Sequence, residues 1–225
     1  EINFGFISTE SSQNIKSDWM PLIEDMEKQT GLKVKTFFAS DYAGIIEGMR
    51  FNKVQLAWMG NKFAMEAVDR SNGEVFAQMV NADGSQGYYS HLIVHKDSPI
   101  KGLDELFKNA KTLSFGNGDP NSTSGFLVPG FYVFAQNKVD PKTAFKVVRN
   151  ANHETNALAV ANKHDSAAAI VARQIIIPRG DNIAIRHHPV GRAGLTHQHI
   201  AQRLQRHLAI HRREGAADGA ERREL

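Results

Sequence analysis

Three consecutive hydroxyl side chains, Ser122, Thr123 and Ser124, stand in the heptapeptide Asp119-Pro120-Asn121-Ser122-Thr123-Ser124-Gly125. A strand-like run, Thr112 to Gly116, precedes this turn, and a helix-like run, Gly125 to Gln136, follows it. The hydroxyls therefore fall where a helix exposes unpaired N–H groups and the positive end of its dipole. That arrangement binds anions, phosphate-like oxyanions above all. Charge-assisted hydrogen bonds contribute about 1.5–3 kcal/mol each, so four or five offset desolvation and ordering and leave binding of roughly micromolar strength or tighter. A helix cap needs one hydroxyl; three in a row beside Gly125 point to a ligand. His153 opens a second helix-like run within Asn150-Ala151-Asn152-His153-Glu154-Thr155-Asn156 and offers a ring N–H as a fourth donor.

Other chemistries find little support. No Walker lysine follows the turn and there is no GxGxxG pattern, which argues against a nucleotide site. Ser122 and His153 as nucleophile and base would make a phosphoester or phosphonate hydrolase, but there is no GxSxG elbow and no evident third member, so the chain is expected not to be an enzyme. The chain has no cysteine, which excludes disulfides, thiol catalysis and thiolate metal ligands. His91 and His95 on one strand, and the histidines near the C-terminus, lack a ligand-spaced frame, so neither metal nor cofactor is expected. Tyr42 and Tyr88 each follow a strand or loop on the presumed ligand side, where a tyrosine fills a core more often than it meets a ligand.

The elements that must position these groups alternate along the chain. Ile2–Ile7, Leu32–Phe38, Gln55–Met59 and Val75–Val80 read as strands. Between them run helices over Asn14–Thr30, from Ser40-Asp41 to Met49, and over Lys62–Arg70, with Trp19, Leu22, Ile23 and Met26 at helical spacing in the first. The loop Asn81–Gly87 breaks the rhythm and divides residues 1–84 from a second lobe over 85–163. There Tyr88–His95, Thr112–Gly116 and Phe145–Arg149 are strands, and Leu103–Asn109, Gly125–Gln136 and His153–Lys163 are helices, the middle one interrupted by Pro129-Gly130. This is an α/β chain with mainly parallel sheets, in which ligands gather beyond the carboxyl ends of the strands. The hydroxyl turn and His153 both lie at such ends.

Composition separates residues 164–225 from the rest. Residues 1–163 carry 14 Lys and 3 Arg against 18 acidic residues, one net negative charge. The tail has 10 Arg and no Lys against 6 acidic residues, with 7 of the 10 histidines, 11 Ala and none of the 19 aromatic residues. The high pI thus belongs to the tail and gives no reason to expect nucleic acid as a partner of the folded part. A rival reading takes the tail as genuine, its Arg and His suited to nucleic acid or an acidic partner, with modest amphipathicity over Ile200–His211. No run of eighteen apolar residues is present. The start at Glu1 without Met is read as a signal peptide already removed.

Asp41-Tyr42-Ala43-Gly44-Ile45-Ile46, Met49–Lys53, Gly116–Gly125 with Phe126–Gly130, and His153–Leu158 together resemble the phosphonate-binding proteins of ABC transporters, within the phosphate/phosphite/phosphonate substrate-binding family. The resemblance runs from Ile2 to about Lys163. It implies a two-lobed periplasmic binding fold of type II, located in the periplasm and serving a membrane permease and its ATPase. It places the phosphonate oxygens on Ser122, Thr123 and Ser124, the helix-opening histidine on His153 and two cleft tyrosines on Tyr42 and Tyr88. The implied ligand is an organophosphonate of the 2-aminoethylphosphonate kind, with phosphite or phosphate as the alternative. Met59 departs from the aromatic expected there. The larger departure follows Lys163, where the family's carboxylates for the ligand's amino group and its return to the first lobe have no counterpart. The expected fold is therefore incomplete at the C-terminus, residues 164–225 form a poorly ordered or out-of-frame tail, and binding is impaired.

Overall fold

Alternate residues Ile2, Phe4 and Phe6 of the first strand are buried, and so is the intervening Gly5, so this strand is covered on both faces as the centre of a parallel sheet must be. The computed structural model describes residues 1–9, 12–80, 84, 86–171 and the backbone of 182–186. In it β1 (Ile2–Phe6) pairs in parallel with β2 (Val34–Phe38) on one side and with β3 (Leu56–Trp58) on the other. The connecting helices are α1 (Ser12–Thr30), α2 (Tyr42–Arg50) and α3 (Asn61–Ser71). Ile15, Ile23 and Met26 of α1 cover one face against Ile2, Phe4 and Phe6, with Trp19 wedged 5.1 Å from Phe6 and 5.0 Å from Trp58. Ile45 and Ile46 of α2 and Phe63 and Ala67 of α3 cover the other face. Each of the fully buried Ile45, Ile46 and Phe63 contributes about 1.5–3 kcal/mol by leaving water.

The second lobe is a five-stranded mixed sheet in the order β6-β5-β7-β4-β8. Its elements are β4 (Tyr89–Val94), α4 (Leu103–Asn109), β5 (Ser114–Asn117), α5 (Pro141–Ala144), β6 (Val147–Asn150), α6 (His153–Ala161), β7 (Ala167–Val171) and β8 (Asn182–Arg186). β5 runs parallel to β6 and β7, whereas β4 is antiparallel to β7 and β8. Phe115, Phe134 and Phe145 form the heart of one face, and Ile93, Ala157, Val160, Ala168 and Ile170 form the other.

Three sequence expectations change. The second lobe does not stop at Lys163: β7 lies at the centre of its sheet, with Ala167, Ala168 and Ala169 fully buried. Alanines that look foreign by composition are side chains small enough for a central strand pressed by α6. Val75–Val80 joins no ladder among the described residues, where only Val80 bridges to Gln86, while Val75 and Met79 are 63% and 60% exposed. The outer edge of β3 pairs with no strand among the described residues, and this segment does not join it. Finally, Thr123–Leu127 and Pro129–Ala135 wind as wide π-helical turns, with Leu127 N–H on Ser122 O and Gln136 N–H on Phe131 O. The expected Ile200–His211 amphipathic run and most of the remaining tail lie outside the described residues.

Candidate functional site: four helix starts facing one another

Four of the helical segments that follow parallel strands begin where the two lobes meet. α2 follows β2 and is capped by Asp41, whose carboxylate accepts the Gly44 N–H at 2.9 Å. α3 follows β3 with Gly60 at its cap position. The wide turn follows β5 and is capped by Ser122, whose hydroxyl accepts the Gly125 N–H at 3.0 Å. α6 follows β6 and is capped by Asn152, which accepts the Thr155 N–H at 2.8 Å. In a wide turn, as in any helix, the first N–H groups have no intrahelical carbonyl to bond, and Ser122 Oγ takes that of Gly125.

Bonds between the lobes bring these starts together. The Lys62 N–H, in the first turn of α3, donates to Thr123 Oγ1 at 2.9 Å. The Tyr42 N–H, first in α2, reaches Asp119 Oδ2 at 3.4 Å. The Glu154 N–H, second in α6, donates to the carbonyl of Thr9 beyond β1, at 3.2 Å. Asn156 anchors α6 from behind, its amide donating to Asn117 O at 2.9 Å.

The six residues singled out by sequence share this junction. Ser122, Thr123, Ser124, Tyr42 and His153 are all buried, and Tyr88 is half-buried. Tyr42 is hydrogen-bonded to Ser122, and Tyr88 to Thr123 and Ser124. A methyl group on Gly125 would come within 3.1 Å of His153 Cε1, so the histidine ring rests on the hydroxyl turn. From below, Ser90 Oγ donates to Ser124 O at 2.6 Å. Asp119 escaped notice in the sequence as more than a turn residue. Its Oδ1 accepts the Asn121 N–H at 2.7 Å and its carbonyl the Ser122 N–H at 2.8 Å, so it shapes the hydroxyl turn while also reaching α2. The Asp-Pro-Asn-Ser spacing of an Asx turn was the available signal.

Burial sets the protonation states. It raises the Tyr42 phenol well above its ordinary range, with Asp119 and Tyr88 adding to the effect and the Ser122 hydrogen bond opposing it. Burial likewise raises Tyr88, so both phenols keep their protons and remain donors. Burial lowers His153 from 6.5 to about 4. Hydroxyls, amides, neutral phenols and a neutral imidazole, aligned with four helix dipoles, suit a compact oxyanion.

A pH dependence follows for the unliganded protein. The unfolded chain takes up a proton on His153 near 6.5, while the folded site resists it down to about 4. Stability from this group is whole above about 6.5 and is lost progressively as pH falls to about 4, by up to about 3 kcal/mol. His153→Gln is expected to flatten that part of the decline in urea midpoints measured between pH 7.5 and 4. An equally steep decline in the variant would refute it.

Comparison with known proteins identifies the family. The profile of the periplasmic substrate-binding proteins of phosphonate ABC transporters matches residues 4–179. The chain is 66% identical over 167 residues to the phosphonates-binding periplasmic protein of Escherichia coli (strain K12), covering 74% of this chain and 49% of that one. It is 34% identical over 170 residues to the phosphate-import protein PhnD of Mycolicibacterium smegmatis, covering 72% and 52%. A crystal structure of a binding protein component of an ABC phosphonate transporter from Pseudomonas aeruginosa superposes with a TM-score of 0.75 at 64% identity, over 76% of this chain and 57% of that one. The chain spans about half the length of the curated relatives it matches.

Proposed function

We infer that this chain, which belongs to the periplasmic phosphonate-binding family of ABC transporters, captures an organophosphonate between its two lobes for delivery to a membrane permease and its ATPase. The family consists of substrate-binding proteins rather than enzymes, and its relatives are named as periplasmic. The observation that carries the reading is the burial of three successive hydroxyls, Ser122, Thr123 and Ser124, at one helix start against the ring of His153. The phosphonate oxygens take hydrogen bonds from these hydroxyls, from Tyr42 and Tyr88, and from the imidazole. Ser122 is unsuited to act as a nucleophile, because its hydroxyl already caps the helix and is hydrogen-bonded to Tyr42.

Ligand selectivity is weakened. Residues 167–170 of β7, inside the stretch that matches the family, are Ala-Ala-Ala-Ile and contain no carboxylate for an ammonium group. Phosphorus NMR titration with methylphosphonate, 2-aminoethylphosphonate and inorganic phosphate tests this. The expected result is measurable binding of methylphosphonate, no added affinity from the amino group, and loss of binding in Ser122→Ala. Tighter binding of inorganic phosphate would favour a phosphate receptor. Release of product from an activated phosphoester, abolished in Ser122→Ala, would favour a hydrolase. Strong preference for 2-aminoethylphosphonate would refute the weakened selectivity.

A further inference from the structure

Thr9 lies just past β1, the middle strand of the first lobe, between the strands whose following helices supply Tyr42 and Lys62 to the junction. Its N–H bonds Ile7 O at 2.9 Å in a tight turn, and its carbonyl accepts the Glu154 N–H beside His153. The residue is 5% exposed, yet its hydroxyl has no hydrogen-bond partner among the described residues. A buried, unsatisfied hydroxyl is unfavourable and uncommon in a folded protein, and calls for an explanation such as an absent ligand. It sits against the start of α6, where an anion is favoured by the helix dipole and by the remaining first-turn amides.

We propose that Thr9 is a further ligand-binding residue, a first-lobe hydroxyl that donates to an oxygen of the bound phosphonate beside His153. This rests on the phosphonate reading of the same junction and adds a contact from the opposite lobe. The hydroxyls of the turn at 122–124 all come from the second lobe, so Thr9 ties ligand occupancy to lobe closure. Its carbonyl already holds α6, and its hydroxyl completes the grip once the anion is present.

The test is Thr9→Val, which keeps the shape and removes the hydroxyl, with Thr9→Ser as the conservative partner and Ser122→Ala as the control for the site itself. Phosphorus NMR titration with methylphosphonate is expected to show affinity reduced about tenfold or more in Thr9→Val and within about threefold of the parent in Thr9→Ser. The thermal midpoint of unliganded Thr9→Val is expected to match or exceed that of the parent, because a methyl replaces an unpartnered hydroxyl. Unchanged affinity in Thr9→Val alongside loss in Ser122→Ala would overturn the role of Thr9 and leave the site standing. Unchanged affinity in both, or no binding by the parent, would overturn the site reading and this proposal with it. A fall in affinity matched by an equal fall in the unliganded thermal midpoint would assign Thr9 to structure and also overturn the proposal.

Discussion

Gly118→Ala is expected to collapse the anion turn, lowering stability by about 3 kcal/mol or more and abolishing measurable phosphonate binding. Gly118 leaves the end of β5 and meets Gly125 backbone to backbone, its N–H bonded to Gly125 O at 2.8 Å. A methyl group on Gly118 would lie 2.5 Å from Gly125 Cα, 2.6 Å from its carbonyl carbon and 2.7 Å from its oxygen. These are main-chain atoms, so no rotamer change relieves the overlap, and the two segments must part. Parting them removes the support beneath Ser122, Thr123 and Ser124. Gly130→Ala is the matched control, since a methyl there meets nothing within 4 Å. Urea midpoints and phosphorus NMR titrations of both variants check the expectation. Parental stability and affinity in Gly118→Ala would show that the close approach is not needed.

Thr123→Val is expected to weaken methylphosphonate binding about 100-fold while lowering unliganded stability by only about 1–2 kcal/mol. Thr123 Oγ1 accepts the Lys62 N–H from the first lobe and is hydrogen-bonded to Tyr88. Valine fills the same space without an acceptor, leaving the α3 amide unsatisfied and removing a donor to the anion. Two losses then coincide: a charge-assisted hydrogen bond to the ligand and a bond that holds the lobes together. Thr123→Ser retains the oxygen and should stay near parental affinity. Small-angle scattering of unliganded Thr123→Val should show a larger radius of gyration, because one interlobe bond is gone. A loss of affinity shared equally by Thr123→Ser would assign the effect to packing of the methyl group and contradict this account.

Much of the fold was legible because the helix and strand periods differ and the chain uses both cleanly. Trp19, Leu22, Ile23 and Met26 at helical spacing lie in α1, which runs over Ser12–Thr30. The parallel pairing of β1 with β2 and β3 follows from strands separated by helices. The expectation failed at Val75–Val80, which makes an isolated bridge from Val80 to Gln86 and does not join the open edge of β3. It failed again at Ala167–Val171, where alanines of low strand propensity form a central strand because the space beside α6 admits little more. Propensity is a weak guide wherever tertiary packing decides the outcome.

By itself the sequence determined which donors exist and on which elements they stand: a triple hydroxyl and a histidine, each opening a helix, with tyrosines at Tyr42 and Tyr88. Those are consequences of local order, in which side-chain type, capping chemistry and the positive helix end are written within a few residues of one another. Only the tertiary structure decided that four helix starts face one another, that Asp119 reaches α2, that Lys62 lends a main-chain N–H to Thr123, and that the Thr9 hydroxyl is buried without a partner among the described residues. Each of these joins residues far apart in the chain, often through main-chain groups that every residue carries. No pattern of residue types can reveal such contacts until the lobes close and water is excluded from between them.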